Sequence, residues 1–156
     1  MNRTLSRARA SGIRWDAVAL GWLVAILVGI VLGLVLSLLF GLAAGGEGPN
    51  TGLTIGAFVA SLLSGFLAYL VGGYVAGRRA RTSGGLNGAM TAVLSLVVGI
   101  VLALLLAILL ALSGGGDFPP GPIGFGEAGA GFLTGLVSFA ANLLGGYLGG
   151  KLGAPS

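Results

Sequence analysis

Leu70-Val71-Gly72-Gly73-Tyr74-Val75-Ala76-Gly77-Arg78 returns near the end of the chain as Leu143-Leu144-Gly145-Gly146-Tyr147-Leu148-Gly149-Gly150-Lys151. Each copy is an apolar run that closes on paired glycines, a tyrosine and a basic residue. Further upstream, Val28-Gly29-Ile30-Val31-Leu32 is matched by Val98-Gly99-Ile100-Val101-Leu102, and Gly45-Gly46-Glu47 by Gly115-Gly116-Asp117. Self-similarity at a near-constant interval means that one structural unit occurs twice. The small change in interval falls in a connecting segment, where an insertion is tolerated. The unit is an apolar segment, a glycine-rich connection and a second apolar segment, which is a helical hairpin.

Four apolar segments build the two hairpins: about Asp16 to Phe40, Leu53 to Ala76, Leu86 to Leu112 and Ala128 to Lys151. Each has roughly 24 to 27 residues, and a helix needs about 20 to cross the hydrocarbon core of a bilayer. Inside lipid every backbone N–H and C=O must be paired within the chain, so the segments are expected to be helices. A β-barrel needs short alternating strands, which runs such as Ala17–Leu20 do not supply. The connections Gly41–Gly52, Gly77–Gly85 and Ser113–Glu127 are too short for a soluble domain; the last holds Pro119, Pro120 and Pro122, which fix φ and remove donors. The first apolar stretch exceeds the 7–15 residues of a signal-peptide core and has a partner in the second repeat, so it is expected to be retained.

Composition agrees. Of 156 residues, 56% are hydrophobic and only 8% charged, with a mean hydropathy of +1.06. Soluble domains carry about 25% charge, so a water-soluble globule of this size lacks the polar surface to cover itself. The expected fold is an all-α integral membrane protein with four transmembrane helices, arranged as two tandem parallel-repeat hairpins in one membrane domain over residues 1–156. Repeat one spans about 14–80 and repeat two about 84–153. Both copies run in the same direction, so a pseudo-two-fold axis along the membrane normal is expected to relate them.

Charge sorts by side. Arg3, Arg7, Arg9 and Arg14 precede the first span, Arg78, Arg79 and Arg81 lie between the second and third, and Lys151 ends the fourth. Glu47, Asp117 and Glu127 fall on the opposite side, and Asp16 sits at the start of span one. The positive-inside rule then places both termini and the middle connection in the cytoplasm, as for a multi-pass protein of the plasma (inner) membrane. The same basic residues are candidate contacts for anionic lipid of the bilayer, at about 1 kcal/mol per charge. A pI near 10.4 also raises nucleic acid as a partner, but the cations are divided among short separate segments, and no nucleic-acid interface is expected.

Glycine contributes 32 residues, several times the usual ~7%. Much of it recurs every fourth position with other small residues: Gly21, Ala25, Gly29, Gly33 in span one; Gly56, Ala60, Ser64, Ala68, Gly72 in span two; Thr91, Ser95, Gly99, Ala103 in span three; Ser138, Asn142, Gly146, Gly150 in span four. A second ridge in span two includes Gly65, Tyr69, Gly73 and Gly77. Membrane helices associate by close packing, and such ridges let backbones approach in right-handed small-xxx-small crossings. Gly29, Gly33, Gly56, Gly72, Gly73, Gly99, Gly146 and Gly150 are the candidate packing positions. Ridges on more than one face leave surface for another subunit. The alternative is that the glycines expose carbonyls along a conduit.

Chemistry is scarce. The chain has no Cys and no His, so thiol, disulfide and histidine acid–base chemistry are excluded. No ionisable residue lies mid-span, which argues against proton-coupled transport and carboxylate cation sites. Small multidrug exporters, also four-helix proteins, depend on a membrane glutamate that is missing here. Gly72-Gly73 and Gly145-Gly146 lie inside apolar helices and are not phosphate loops. The candidate polar contacts are Tyr69, Ser95 and Asn142, with Tyr69 and Asn142 at matching places in the two repeats and expected to pair. Tyr74, Tyr147, Trp15 and Trp22 are expected to set depth in the interface. No catalytic, cofactor or metal site is expected.

Gly72-Gly73-Tyr74-Val75-Ala76-Gly77-Arg78-Arg79-Ala80 with Gly85-Leu86-Asn87-Gly88-Ala89 resembles the Gly-Gly-Tyr-x-Ala-Gly–basic junction of uncharacterised small prokaryotic four-helix membrane proteins. The resemblance covers the second span, the turn and the start of the third, with a fainter copy at Gly145–Lys151. It implies a prokaryotic plasma membrane. The function expected is that of a non-enzymatic membrane protein that packs or oligomerises through glycine-rich helices, an accessory or structural subunit acting with copies of itself or another membrane protein. The alternative is a small channel or carrier for neutral or weakly polar solutes, lined by Ser, Thr, Asn and glycine carbonyls.

Overall fold

The computed structural model of the chain describes residues 12–43, 55–112 and 128–155. They form four helices: α1 (Trp15–Ala43), α2 (Ile55–Ala80), α3 (Gly84–Leu112) and α4 (Ala128–Gly153). The start of α1, the end of α2, the start of α3 and the end of α4 gather at one end, with Arg14, Arg78, Arg79, Arg81 and Lys151; this is the basic end. Among the described residues, α1, α2 and α3 contain stretches long and apolar enough to cross a membrane. α4 is of similar length, at 26 residues, and carries Lys151 in its last turn.

The junction between α2 and α3 is tighter than its composition suggests. The sequence reads Gly77–Gly85 as a connection, whereas α2 runs on to Ala80 and α3 begins at Gly84. Arg78 and Arg79 occupy the last turn of α2, where cations complement the negative end of the helix dipole. Only Arg81, Thr82 and Ser83 form the turn. Arg81 (φ 60°) and Ser83 (φ 50°) take the left-handed conformation that glycine adopts most readily. The neighbouring glycines are used elsewhere: Gly77 and Gly84 both face Gly150 of α4.

Packing is closest near the basic end. A Cβ placed on Gly21 of α1 would lie 2.6 Å from the Gly72 carbonyl oxygen and 2.7 Å from the Ala76 Cβ of α2. Gly73 and Gly77 of α2 meet the carbonyls of Gly146 and Gly150, and Gly84 and Gly88 of α3 meet the same two residues from the other side. A further row, Gly145, Gly149 and Gly153, lies on the carbonyls of Phe66, Leu70 and Tyr74. α4 is thus wedged between α2 and α3 by two adjacent glycine rows. The buried apolar core consists of Ala17, Val18, Ala25, Ala68, Ala76, Ala80 and Ala92, while Leu, Ile and Val side chains point outward along every helix.

Toward the other end the helices separate. Gly29 stands in ordinary contact with Ala68, 3.7 Å from its Cβ, and Gly33, Gly99 and Gly135 have nothing within 4 Å. The packing expected of Gly33 and Gly99 is therefore not made among the described residues. The pairing also departs from a two-fold. α2 packs on α3, yet among the described residues α1 makes no matching approach to α4. The repeats also differ in sequence here: where α3 has Gly84 and Gly88 facing α4, the matching positions of α1 hold Arg14 and Val18.

Candidate functional site

The most elaborated polar arrangement lies at the basic end, around Asn87. This side chain is fully buried, one turn into α3. Its amide nitrogen donates to the carbonyls of Thr82 (3.3 Å) and Ser83 (3.1 Å), and its oxygen accepts the backbone N–H of Arg14 at 2.7 Å. Both donors and the acceptor are used, which removes the penalty for burying an amide. One residue therefore holds the α2–α3 turn in shape and ties the start of α1 to it. The Arg14 carbonyl in turn accepts the N–H groups of Ala17 and Val18 and opens α1. Beside it, the buried Thr91 hydroxyl donates to the Gly88 carbonyl at 2.6 Å.

An ion-pair bridge lies outside this clasp. Asp16 accepts from Arg14 at 3.1 Å and from Arg79 at 3.4 Å, linking the first turn of α1 to the last turn of α2. All three side chains are about half exposed, so the pairs fix relative position more than they stabilise the fold. Arg78 donates to the Tyr74 hydroxyl at 3.2 Å. Arg81 and Lys151 are exposed and have no acidic partner among the described residues.

The polar residues at middle depth behave differently. The Tyr69 hydroxyl interacts with the Ser95 side chain, joining α2 to α3. Asn142 lies against Gly65 of α2: a Cβ placed on Gly65 would sit 2.5 Å from the Asn142 Oδ1. The structure thus brings Tyr69 together with Ser95 and seats Asn142 one turn away along α2. The Trp22 Nε1 is buried without a hydrogen-bond partner.

Of the packing positions read from the sequence, Gly72, Gly73, Gly146 and Gly150 lie in backbone-to-backbone contacts, Gly29 lies against Ala68, and Gly33 and Gly99 are open. Gly56 falls within α2. Arg3, Arg7 and Arg9, with Glu47, Asp117 and Glu127, lie outside the described residues. Three contributors escape a reading of the sequence. Asn87 sits where the third span begins and shows no partner in the linear chain; Gly84 reads as part of the connection and Gly88 as one more small residue at the start of the span. The available signal is the spacing Gly84-x-x-x-Gly88, which mirrors Gly146-x-x-x-Gly150. Chemically the basic end offers cations and fixed amides and carbonyls. Comparison with protein families, with curated proteins and with solved structures finds no match to this chain.

Proposed function

We propose that the chain is a non-enzymatic integral membrane protein of two tandem parallel-repeat hairpins, inserted in the plasma membrane with the basic end and both termini in the cytoplasm. It serves as an accessory or structural subunit that associates with copies of itself or with another membrane protein through glycine-rich helices. The observation that carries this reading is the inversion of ordinary packing. Apart from Val18, Asn87 and Thr91, the buried interior is glycine and alanine with backbones in contact, and most of the large apolar side chains face outward. Lipid solvates such a surface at no cost, and close backbone approach is how helices associate there. The open glycines Gly33, Gly99 and Gly135 supply further small-residue surface of the same kind, available to another helix. The Tyr69–Ser95 contact supports a structural use of the mid-depth polar groups over the lining of a solute path.

Mass measurement of the full chain extracted in mild detergent tests the association. The expected result is a species of at least two 15.3 kDa chains, or one chain with a copurified membrane partner. A bare single chain in both detergent and lipid nanodiscs would overturn the reading.

A further inference from the structure

We propose that Arg78, Arg81 and Lys151 form a surface that binds the headgroups of anionic phospholipids, with Asp16 limiting its charge. The proposal rests on the membrane reading above. Five basic residues of the described chain gather at this end, and they are not equivalent. Arg14 and Arg79 share the Asp16 carboxylate. Arg78, Arg81 and Lys151 have no acidic partner among the described residues. They also lie on touching elements. The last turns of α2 and α4 are in backbone contact, since a Cβ on Gly153 would sit 3.0 Å from the Arg78 nitrogen. Arg81 follows the end of α2 directly, in a left-handed conformation held by the short turn.

The surroundings fit a lipid surface. Tyr74, Tyr147 and Trp15 are exposed at the same end, the arrangement of aromatic side chains that lie at headgroup depth. The Tyr74 hydroxyl receives the Arg78 guanidinium at 3.2 Å, which holds that cation beside the ring. Phosphate-bearing anionic headgroups supply the missing negative charge, and each cation near a charged leaflet contributes about a fivefold change in affinity, equivalent to about 1 kcal/mol.

Both tryptophans of the chain, Trp15 and Trp22, lie in the first turns of α1 near this end, so intrinsic fluorescence reports on it. The full chain is reconstituted in vesicles, insertion is checked by resistance to alkaline extraction, and quenching is compared between acyl-brominated phosphatidylglycerol and acyl-brominated phosphatidylcholine. The expected result is a preference for phosphatidylglycerol that falls about fivefold with each of Arg78→Gln, Arg81→Gln and Lys151→Gln, and rises with Asp16→Asn. Equal quenching by the two lipids in an inserted chain overturns the proposal and leaves the membrane reading standing. A preference removed only by Arg3→Gln, Arg7→Gln and Arg9→Gln overturns it too, as does competition by inorganic phosphate at constant ionic strength, which would assign the surface to a soluble anion. Failure to insert overturns the membrane reading itself.

Discussion

At the residue scale the glycines divide into two populations that sequence alone does not separate. Gly150 is in contact with the backbones of α2 and α3 together, while Gly99 has nothing within 4 Å. A methyl group at Gly150 must displace the Gly84 and Gly88 backbones, and overpacking of this kind costs about 1–3 kcal/mol. Gly150→Ala is therefore expected to lower the unfolding midpoint in a detergent titration. Gly99→Ala meets no obstacle and restricts the unfolded chain, so it is expected to be neutral or to stabilise by up to about 1 kcal/mol. Equal losses at the two positions would contradict the contacts described here. Asn87 makes a different contribution. Asn87→Ala removes the acceptor of the Arg14 N–H and frees two turn carbonyls, at a cost of about 1–3 kcal/mol for buried groups left unpaired. Hydrogen exchange at the Arg14 amide is expected to accelerate in this variant, and an unchanged rate would remove Asn87 from its role as the clasp.

At the element scale the α1–α2 hairpin opens progressively from Gly21 toward Gly33, and its geometry at one intermediate level suits a covalent test. The Cβ position at Gly29 lies 3.7 Å from the Ala68 Cβ, within the range of about 3.5–4.5 Å found in disulfides. The chain has no cysteine of its own, so a Gly29→Cys/Ala68→Cys variant is a clean background. It is expected to oxidise to a linked hairpin under mild oxidant, detected as a fragment pair that stays joined after cleavage between the helices until reduced. A Gly33→Cys/Ala68→Cys pair is expected to remain reduced. The existence of the elements was legible in the chain because the Gly-Gly-Tyr copies and the apolar runs are local signals. Their ends and registers were not. Gly77, Gly84 and Gly85 look like turn residues until α4 is in place, whereupon Gly77 and Gly84 become contact surface and the turn falls to Arg81, Thr82 and Ser83. The departure from two-fold pairing was hidden for the same reason. That α2 meets α3 while α1 does not meet α4 among the described residues is a matter of long-range contact, which no local pattern records. The cation cluster was visible as charge, but its division by Asp16 into paired and unpaired members depends on α1 meeting α2.

At the scale of the whole molecule, the bundle is closed at the basic end and open at the other, and this contrast bears directly on association. Closure uses nearly all the backbone-to-backbone glycine contacts, at Gly21, Gly72, Gly73, Gly77, Gly84, Gly88, Gly146 and Gly150. The opposite half keeps two glycines, Gly33 and Gly99, on the small-residue ridges of α1 and α3 without a contact among the described residues. A helix face with a small-residue ridge gains from a neighbour that fits it, whereas a face of leucines is solvated as well by lipid as by another helix. If association proceeds through the open half, a single Gly99→Cys substitution is expected to yield disulfide-linked pairs of chains in native membranes. Leu104→Cys, on the same helix at a side chain that is 59% exposed and away from the ridge, is expected to yield markedly fewer. Equal linking at the two positions would show that contacts between chains are random collisions in the bilayer. A lack of linking at Gly99, with multimers still present by mass, would move the interface to another face of the bundle and leave the open glycines as lipid contacts.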